Sequence, residues 1–230
     1  MEHYTLGIDD AGRGPLIGPM ILAGVLLTDK QEKILKKHNV KDSKQLAHPT
    51  RIDLSGLIRK NVVKHAITKS SPNEIDDALT SGTNLNTLEA QKTAEIINAL
   101  NEKDFYNKKI KVIVDCPSTN TRAWRSTLLK YISYAENLII TCEHKADANY
   151  TSVSAASILA KVEREDEIEK IREHYKKYGD VGSGYPSDPI TKEFLKKNGA
   201  KLKNEGIFRK TWSTWKSIFP EKLQTTLEEF

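Results

Sequence analysis

Leu6-Gly7-Ile8-Asp9-Asp10-Ala11-Gly12-Arg13-Gly14-Pro15-Leu16-Ile17-Gly18-Pro19 runs a short apolar strand into two adjacent carboxylates and then into a glycine-rich turn that carries an arginine. The strand, residues 4–8, delivers Asp9 to a sheet edge, where glycines let the main chain approach a sugar-phosphate without Cβ atoms in the way. Successive strand residues point to opposite faces. Asp9 and Asp10 therefore share one site only if the strand ends at Asp9 and the turn at Ala11-Gly12 swings Asp10 round. The same stretch also reads as an ordinary strand-ending turn followed by surface loop, so its chemistry is decided by what the rest of the chain brings to it.

With 230 residues and 38% hydrophobic content, the chain can bury a good core, as one main domain with a C-terminal extension. There is no basic segment leading into an apolar run at the start, and no apolar stretch approaches the roughly eighteen residues of a membrane helix. The expectation is a soluble, cytoplasmic protein without membrane contact. The two cysteines, Cys116 and Cys142, flank apolar strand-like runs with no metal-ligand spacing and read as reduced thiols in or near the core. A net charge of +5 points mildly to an anionic partner. The charge is concentrated at residues 191–216, where Lys192, Lys196, Lys197, Lys201, Lys203, Arg209, Lys210 and Lys216 interleave with Phe208, Trp212 and Trp215. Such a stripe suits a nucleic-acid backbone; it also describes a solvated helical face with its tryptophans turned inward.

Periodicity predicts strands at 4–8, 20–27, 62–69, 109–114 and 138–142. Helices are predicted at 31–37, 49–60, 72–78, 85–101 and 122–133, followed by a long one from about 152–155 to about 175. The alternation argues an α/β fold with a mixed sheet. Asp9, Asp115 and Asp147 fall at or just beyond the C-terminal ends of three of the strands, which is where open α/β sheets gather ligands. Acidic groups brought together there repel one another unless cations lie between them, and hard oxygen donors select magnesium or manganese over zinc.

Five ordered motifs carry a resemblance. They are residues 7–15 (Gly-Ile-Asp-Asp-Ala-Gly-Arg-Gly-Pro), Asp42-Ser43-Lys44, Val114-Asp115, Ala146-Asp147 with 153–162 (Val-Ser-Ala-Ala-Ser-Ile-Leu-Ala-Lys-Val), and 182–189 (Gly-Ser-Gly-Tyr-Pro-Ser-Asp-Pro). Together they resemble type 2 ribonuclease H in its archaeal form. The resemblance implies a ribonuclease-H-like α/β fold, a mixed five-stranded sheet flanked by helices, with a C-terminal helical extension. Its division would be a catalytic domain over 1–178, a basic helical extension over 179–222 that completes the substrate cleft, and a tail over 223–230. The implied activity is hydrolysis of the RNA strand of RNA/DNA hybrids and cutting at single ribonucleotides in duplex DNA, leaving 5′-phosphate and 3′-hydroxyl ends. Asp9, Asp10, Asp115 and Asp147 would hold two Mg2+ or Mn2+ ions, one activating water and the other stabilising the leaving oxygen.

By the same resemblance, Gly12, Arg13 and Gly14 read the ribose 2′-hydroxyl, Tyr185 stacks on the sugar at the ribonucleotide-to-deoxyribonucleotide junction, and Ser43 and Lys44 lie near substrate phosphates. Lys161 and Arg164, about a helical turn apart, are further candidates that also fit a solvated face. One position departs from the pattern. The family has glutamate after the first aspartate, and Asp10 is shorter by about one carbon–carbon bond, ~1.5 Å. Magnesium's demand for octahedral geometry then weakens one ion's site unless a water or a backbone shift compensates. Gln224, Leu227 and Phe230 resemble the short peptide by which replication and repair enzymes bind the sliding clamp. The archaeal type and the absence of long insertions imply a monomer. Two alternatives share these residues: another two-metal nuclease of the same fold, such as a junction resolvase, and a hybrid-binding protein whose metal site Asp10 has weakened.

Overall fold

Strand β1 (Tyr4–Ala11) turns back through the glycine-rich segment into β2 (Met20–Thr28), which is buried along its whole length because helices cover both faces of the sheet. The computed structural model describes residues 3–40 and 46–220. The chain continues through α1 (Asp29–Lys37), α2 (His48–Asn61), β3 (Lys64–Ser70), α3 (Pro72–Thr80), α4 (Leu85–Leu100), β4 (Ile110–Asp115), α5 (Thr121–Leu129) and β5 (Leu138–Glu143). A short α6 (Ala146–Asn149), the long α7 (Thr151–Tyr175), α8 (Pro189–Leu202) and α9 (Ser213–Ile218) complete it. Among the described residues the strands form one five-stranded mixed sheet in the order β3-β2-β1-β4-β5. The β1–β2 and β2–β3 pairs are antiparallel, and β1–β4 and β4–β5 are parallel. The expected α/β architecture is what the chain adopts.

Strand alternation sorts the core. Leu6, Ile8, Leu22, Val112 and Val114 pack with Ile75 of α3, Ile96 and Ile97 of α4, and Trp124 and Leu128 of α5. On the other face Ala11, Ile21, Ala23 and Val25 meet Leu35 of α1, Ile58 of α2 and the Ala155–Val162 stretch of α7. The first ten residues of α7 are all buried. Their small side chains let the helix lie almost on β1, and a Cβ at Gly7 would come within 2.2 Å of the Ser152 carbonyl carbon. Burying each large aliphatic side chain in these clusters contributes about 1.5–3 kcal/mol.

A third cluster lies off the sheet. Leu16 and Ile17, just beyond the glycine-rich turn, pack with Val181, Phe194, Leu195, Ile207, Phe208 and Trp215 of the C-terminal region. Ile17 and Phe208 form an antiparallel bridge, and the Arg209 amide donates to the Leu16 carbonyl at 2.9 Å. The turn after β1 and the segment around Phe208 are thereby joined beyond the end of the central strand.

Two expected boundaries are corrected. Strand β1 does not stop at residue 8 but pairs with β2 through Asp9↔Ala23, Asp10↔Leu22 and Ala11↔Ile21, because the antiparallel partner continues after the parallel β1–β4 ladder ends at Ile8↔Val114. The helix expected at 122–133 ends at Leu129, where Asn98 of α4 and Asn101 just after it draw the following chain into hydrogen bonds at Tyr131, Ser133 and Tyr134. Both cysteines are free thiols, as expected. Among the described residues no helix is long and apolar enough to cross a membrane.

Candidate active site

Strand geometry brings three carboxylates together. Asp9 is near the end of β1, Asp115 ends the neighbouring β4, and both lie on the face that α7 covers. After β5 the chain turns sharply at Lys145, whose backbone is left-handed with φ 57°, and α6 then presents Asp147 to the same place. Asp115 Oδ1 accepts from the Ala146 amide at 3.4 Å, tying the two strand ends. One carboxylate oxygen from each of Asp9, Asp115 and Asp147 falls within 4.8 Å of the other two.

Asp9 and Asp147 are buried. Burial, followed by the charge of Asp10, holds the Asp9 carboxyl well above the ordinary carboxylate range, with Ser157 opposing through a side-chain hydrogen bond. A group of hard oxygen donors in such a place fits a divalent cation, whose charge would offset both the repulsion and the lost hydration.

Asp10 stands differently. Since β1 stays regular through Ala11, Asp10 projects to the α4 face and lies outside the three-carboxylate group. The swing that would have brought it alongside Asp9 does not occur; the two are coupled through charge across the strand. Burial pushes Asp10 up to about 6, with Arg13 the largest opposing influence and Asp115 adding to the rise.

Gly12, Arg13 and Gly14 line one wall of a cleft of about 430 Å³ that also includes Asp10, Lys161, Arg164 and Tyr185. A second cleft of about 480 Å³ adjoins it at Asp10 and Arg13 and is lined by Asp115, His144 and Lys145. Gly12 has φ +84°, and a Cβ there would lie 2.7 Å from Arg164 Cδ and 2.8 Å from the Pro19 carbonyl oxygen. Tyr185 is 38% exposed and faces the turn, and the Arg164 guanidinium sits 4.8 Å from its ring centroid. Arg164 also donates to the Ser183 carbonyl at 2.9 Å. It therefore supports the tyrosine rather than forming part of a solvated face. Asp188 braces the same loop by accepting from the Ser183 amide and hydroxyl and the Ile190 amide, and these bonds pull it down to about 2.

The partner of the Arg13 side chain, Glu89, and the buried placement of Arg209 were not legible in the sequence. Arg13 is held on α4, donating to Asn86 Oδ1 at 2.7 Å and ion-paired with Glu89 at 3.0 Å. Burial, with the charge of Asp10, pushes Glu89 up to about 8. Its spacing of four and seven from buried Thr93 and Ile96 was the available signal: a carboxylate on the inner face of an amphipathic helix.

Arg209, expected within a backbone-binding stripe, is fully buried and donates to main-chain carbonyls of the N-terminal turn. It is the only arginine among the eight basic residues of 191–216. Lys192, Lys196, Lys197, Lys201, Lys203 and Lys216 are exposed, while Trp215 is buried as the inward-facing reading of the stripe anticipated. Trp212 donates from Nε1 to the Gly14 carbonyl at 3.1 Å. Ser43 and Lys44, and Gln224, Leu227 and Phe230 in the tail, lie outside the described residues.

The ribonuclease HII family model matches residues 6–215. Ribonuclease HII of Pyrococcus furiosus is 42% identical over 229 residues, covering 97% of this chain and 96% of its own length. Among solved structures, ribonuclease H2 from Pyrococcus horikoshii superposes with a TM-score of 0.78 at 37% identity, covering 94% of this chain and 96% of that one. Ribonuclease HII from Archaeoglobus fulgidus, solved in a complex with PCNA, superposes with a TM-score of 0.76 at 38% identity, covering 90% and 94%.

Proposed function

The chain belongs to the ribonuclease HII family and is a hydrolytic nuclease with ribonuclease H activity, and from that premise we propose that it cuts both the RNA strand of RNA/DNA hybrids and single ribonucleotides embedded in duplex DNA, leaving 5′-phosphate and 3′-hydroxyl ends. The observation that carries this reading is the convergence of Asp9, Asp115 and Asp147 at the strand ends, with Asp115 lining a cleft that adjoins, at Asp10 and Arg13, the one walled by the glycine-rich turn and Tyr185. Two Mg2+ or Mn2+ ions held by these three carboxylates would supply an activated water and stabilise the leaving oxygen, with Asp10 acting on the site through its charge from the other face of β1.

The remaining work falls to the protein's own groups. Burial and the charge of Asp10 hold the Asp9 carboxyl above its ordinary range, so the site is matched to a cation-bearing polyanion whose counter-charge favours the ionised form. The main chain of residues 12–14 approaches the substrate strand closely and recognises the ribose 2′-hydroxyl, the one group that separates RNA from DNA at a given position. Tyr185, propped by Arg164, offers a flat face to the deoxyribose that follows. The extension over 179–222 completes the cleft, and its exposed lysines draw in the duplex. Gln224, Leu227 and Phe230 serve as a clamp-binding peptide, a reading supported by the Archaeoglobus relative's complex with PCNA.

The deciding experiment is cleavage of three end-labelled duplexes, a continuous hybrid, one with a single ribonucleotide and one of DNA alone, each with Mg2+ and with Mn2+. Cutting of the first two and not the third is expected. Cutting of the hybrid alone would remove the embedded-ribonucleotide activity, and cutting of DNA alone would favour a resolvase-like nuclease.

A further inference from the structure

We propose that Arg209, together with Trp212, is the positioning residue for ribose recognition: it pins the carbonyls of the 12–14 turn so that the turn's amides face the substrate sugar. The proposal rests on the reading that this turn senses the 2′-hydroxyl. Arg209 is fully buried, and the bonds of its guanidinium run to main-chain oxygens. Nη2 donates to Gly12 O at 2.6 Å and Gly18 O at 3.0 Å, Nη1 to Arg13 O at 2.7 Å, and Nε to Gly18 O at 3.1 Å. Trp212 Nε1 takes the next carbonyl, that of Gly14.

Peptide geometry converts this into direction. The described chain has no cis peptide bonds, and in a trans peptide the N–H points opposite to the C=O. Fixing the Gly12 and Arg13 carbonyls on Arg209 therefore turns the amides of Arg13 and Gly14 the other way. The third peptide ends at Pro15, which has no N–H, so the cradle orients two donors. The Arg13 side chain itself is drawn to Asn86 and Glu89 of α4. A cation on an amide oxygen also polarises the peptide and makes its N–H a stronger donor.

Lysine cannot replace this cation. Its single ammonium lacks the planar fork that reaches three separate carbonyls at once. Asp76 holds the strap in place by accepting from the Lys210 amide at 2.7 Å, and from the Thr211 amide at 3.0 Å and hydroxyl at 2.6 Å.

The test uses the full chain carrying Asp115→Asn, so that substrates stay intact, and compares Kd for a duplex with one ribonucleotide against the same duplex in DNA. Arg209→Lys should cut the ribonucleotide preference about tenfold, which is about 1.4 kcal/mol. Trp212→Phe, which keeps the ring and removes one donor, should cut it about threefold, and both should leave the all-DNA Kd unchanged. Equal weakening of the two duplexes, or an unchanged preference in both variants, overturns the proposal. If Arg209→Lys does not fold, Trp212→Phe decides alone. A parent protein with no ribonucleotide preference would instead remove the underlying reading of the turn, and the proposal with it.

Discussion

Asp9 and Asp147, grouped with the half-buried Asp115, and Arg209 beneath the 12–14 turn are charged groups taken out of water, yet their surroundings treat them oppositely. The carboxylates face one another, so burial adds to repulsion and Asp9 is held well above the ordinary range. Arg209 meets carbonyl oxygens at hydrogen-bond distance on every side of its fork. The first region is left dependent on a counter-charge from outside, and the second is completed from within. The first arrangement can accept a cation and the second holds a turn in place.

Neutralising one charge on each side should therefore have opposite thermal consequences. Asp115→Asn is expected to lower cleavage by on the order of a hundredfold or more while raising the melting temperature of the metal-free protein, since a repulsive charge is removed. Wild-type-like cleavage would break the comparison at its functional end. Arg209→Met leaves the Gly12, Arg13 and Gly18 carbonyls without their donor and should cost about 2–4 kcal/mol, read as a drop of roughly 5–15 °C in melting temperature. An unchanged melting temperature would mean that the cation is not holding the turn.

The pH dependence sharpens the contrast. Asp9, Asp10 at about 6 and Glu89 at about 8 have folded values above their ordinary ones. Such groups contribute stability fully below their unfolded pKa and lose it as pH rises through the folded values. Between pH 5 and 8 the melting temperature of the metal-free chain should fall by a few degrees, and Mg2+ should flatten the slope. Arg209, lowered by burial to about 10, stays charged across that window, and Asp188 at about 2 stays ionised. A melting temperature that climbs from pH 5 to 8 would contradict the burial of unmatched carboxylates.

The smallest effect belongs to Asp10. Lengthening it by Asp10→Glu should keep or raise Mg2+-supported cleavage within a few-fold and narrow any Mn2+ advantage, whereas Asp10→Ala should reduce both. Indifference to both changes would separate Asp10 from the cation site altogether.

The carboxylate side was legible because its information is local. Each aspartate stands at or just beyond a short apolar run, and strand ends are predictable from such runs, so the sequence alone places Asp9, Asp115 and Asp147 together. Asp10 was misplaced because alternation beyond residue 8 depends on β2 continuing as a partner, which no pattern within β1 reveals. The cradle side was illegible for a related reason. Arg209 looked like its lysine neighbours, and its partners lie 191 to 197 residues away in the chain. A lone arginine between Phe208 and Trp212 was the available hint, since arginine suits buried multidentate contacts where lysine does not.

That sequence separation has a consequence for biosynthesis. A chain emerging from the ribosome contains Asp9, Asp115 and Asp147 once residue 147 is made, and domains generally begin to fold from the N-terminal end. The peptide planes of residues 12–14 await Arg209, which is translated some sixty residues later (209 − 147 = 62). In the nascent protein the three grouped carboxylates are therefore synthesised before the residue that bonds the turn beside them. A product truncated before residue 209 would retain all three acids but lack the guanidinium that holds the Gly12, Arg13 and Gly18 carbonyls.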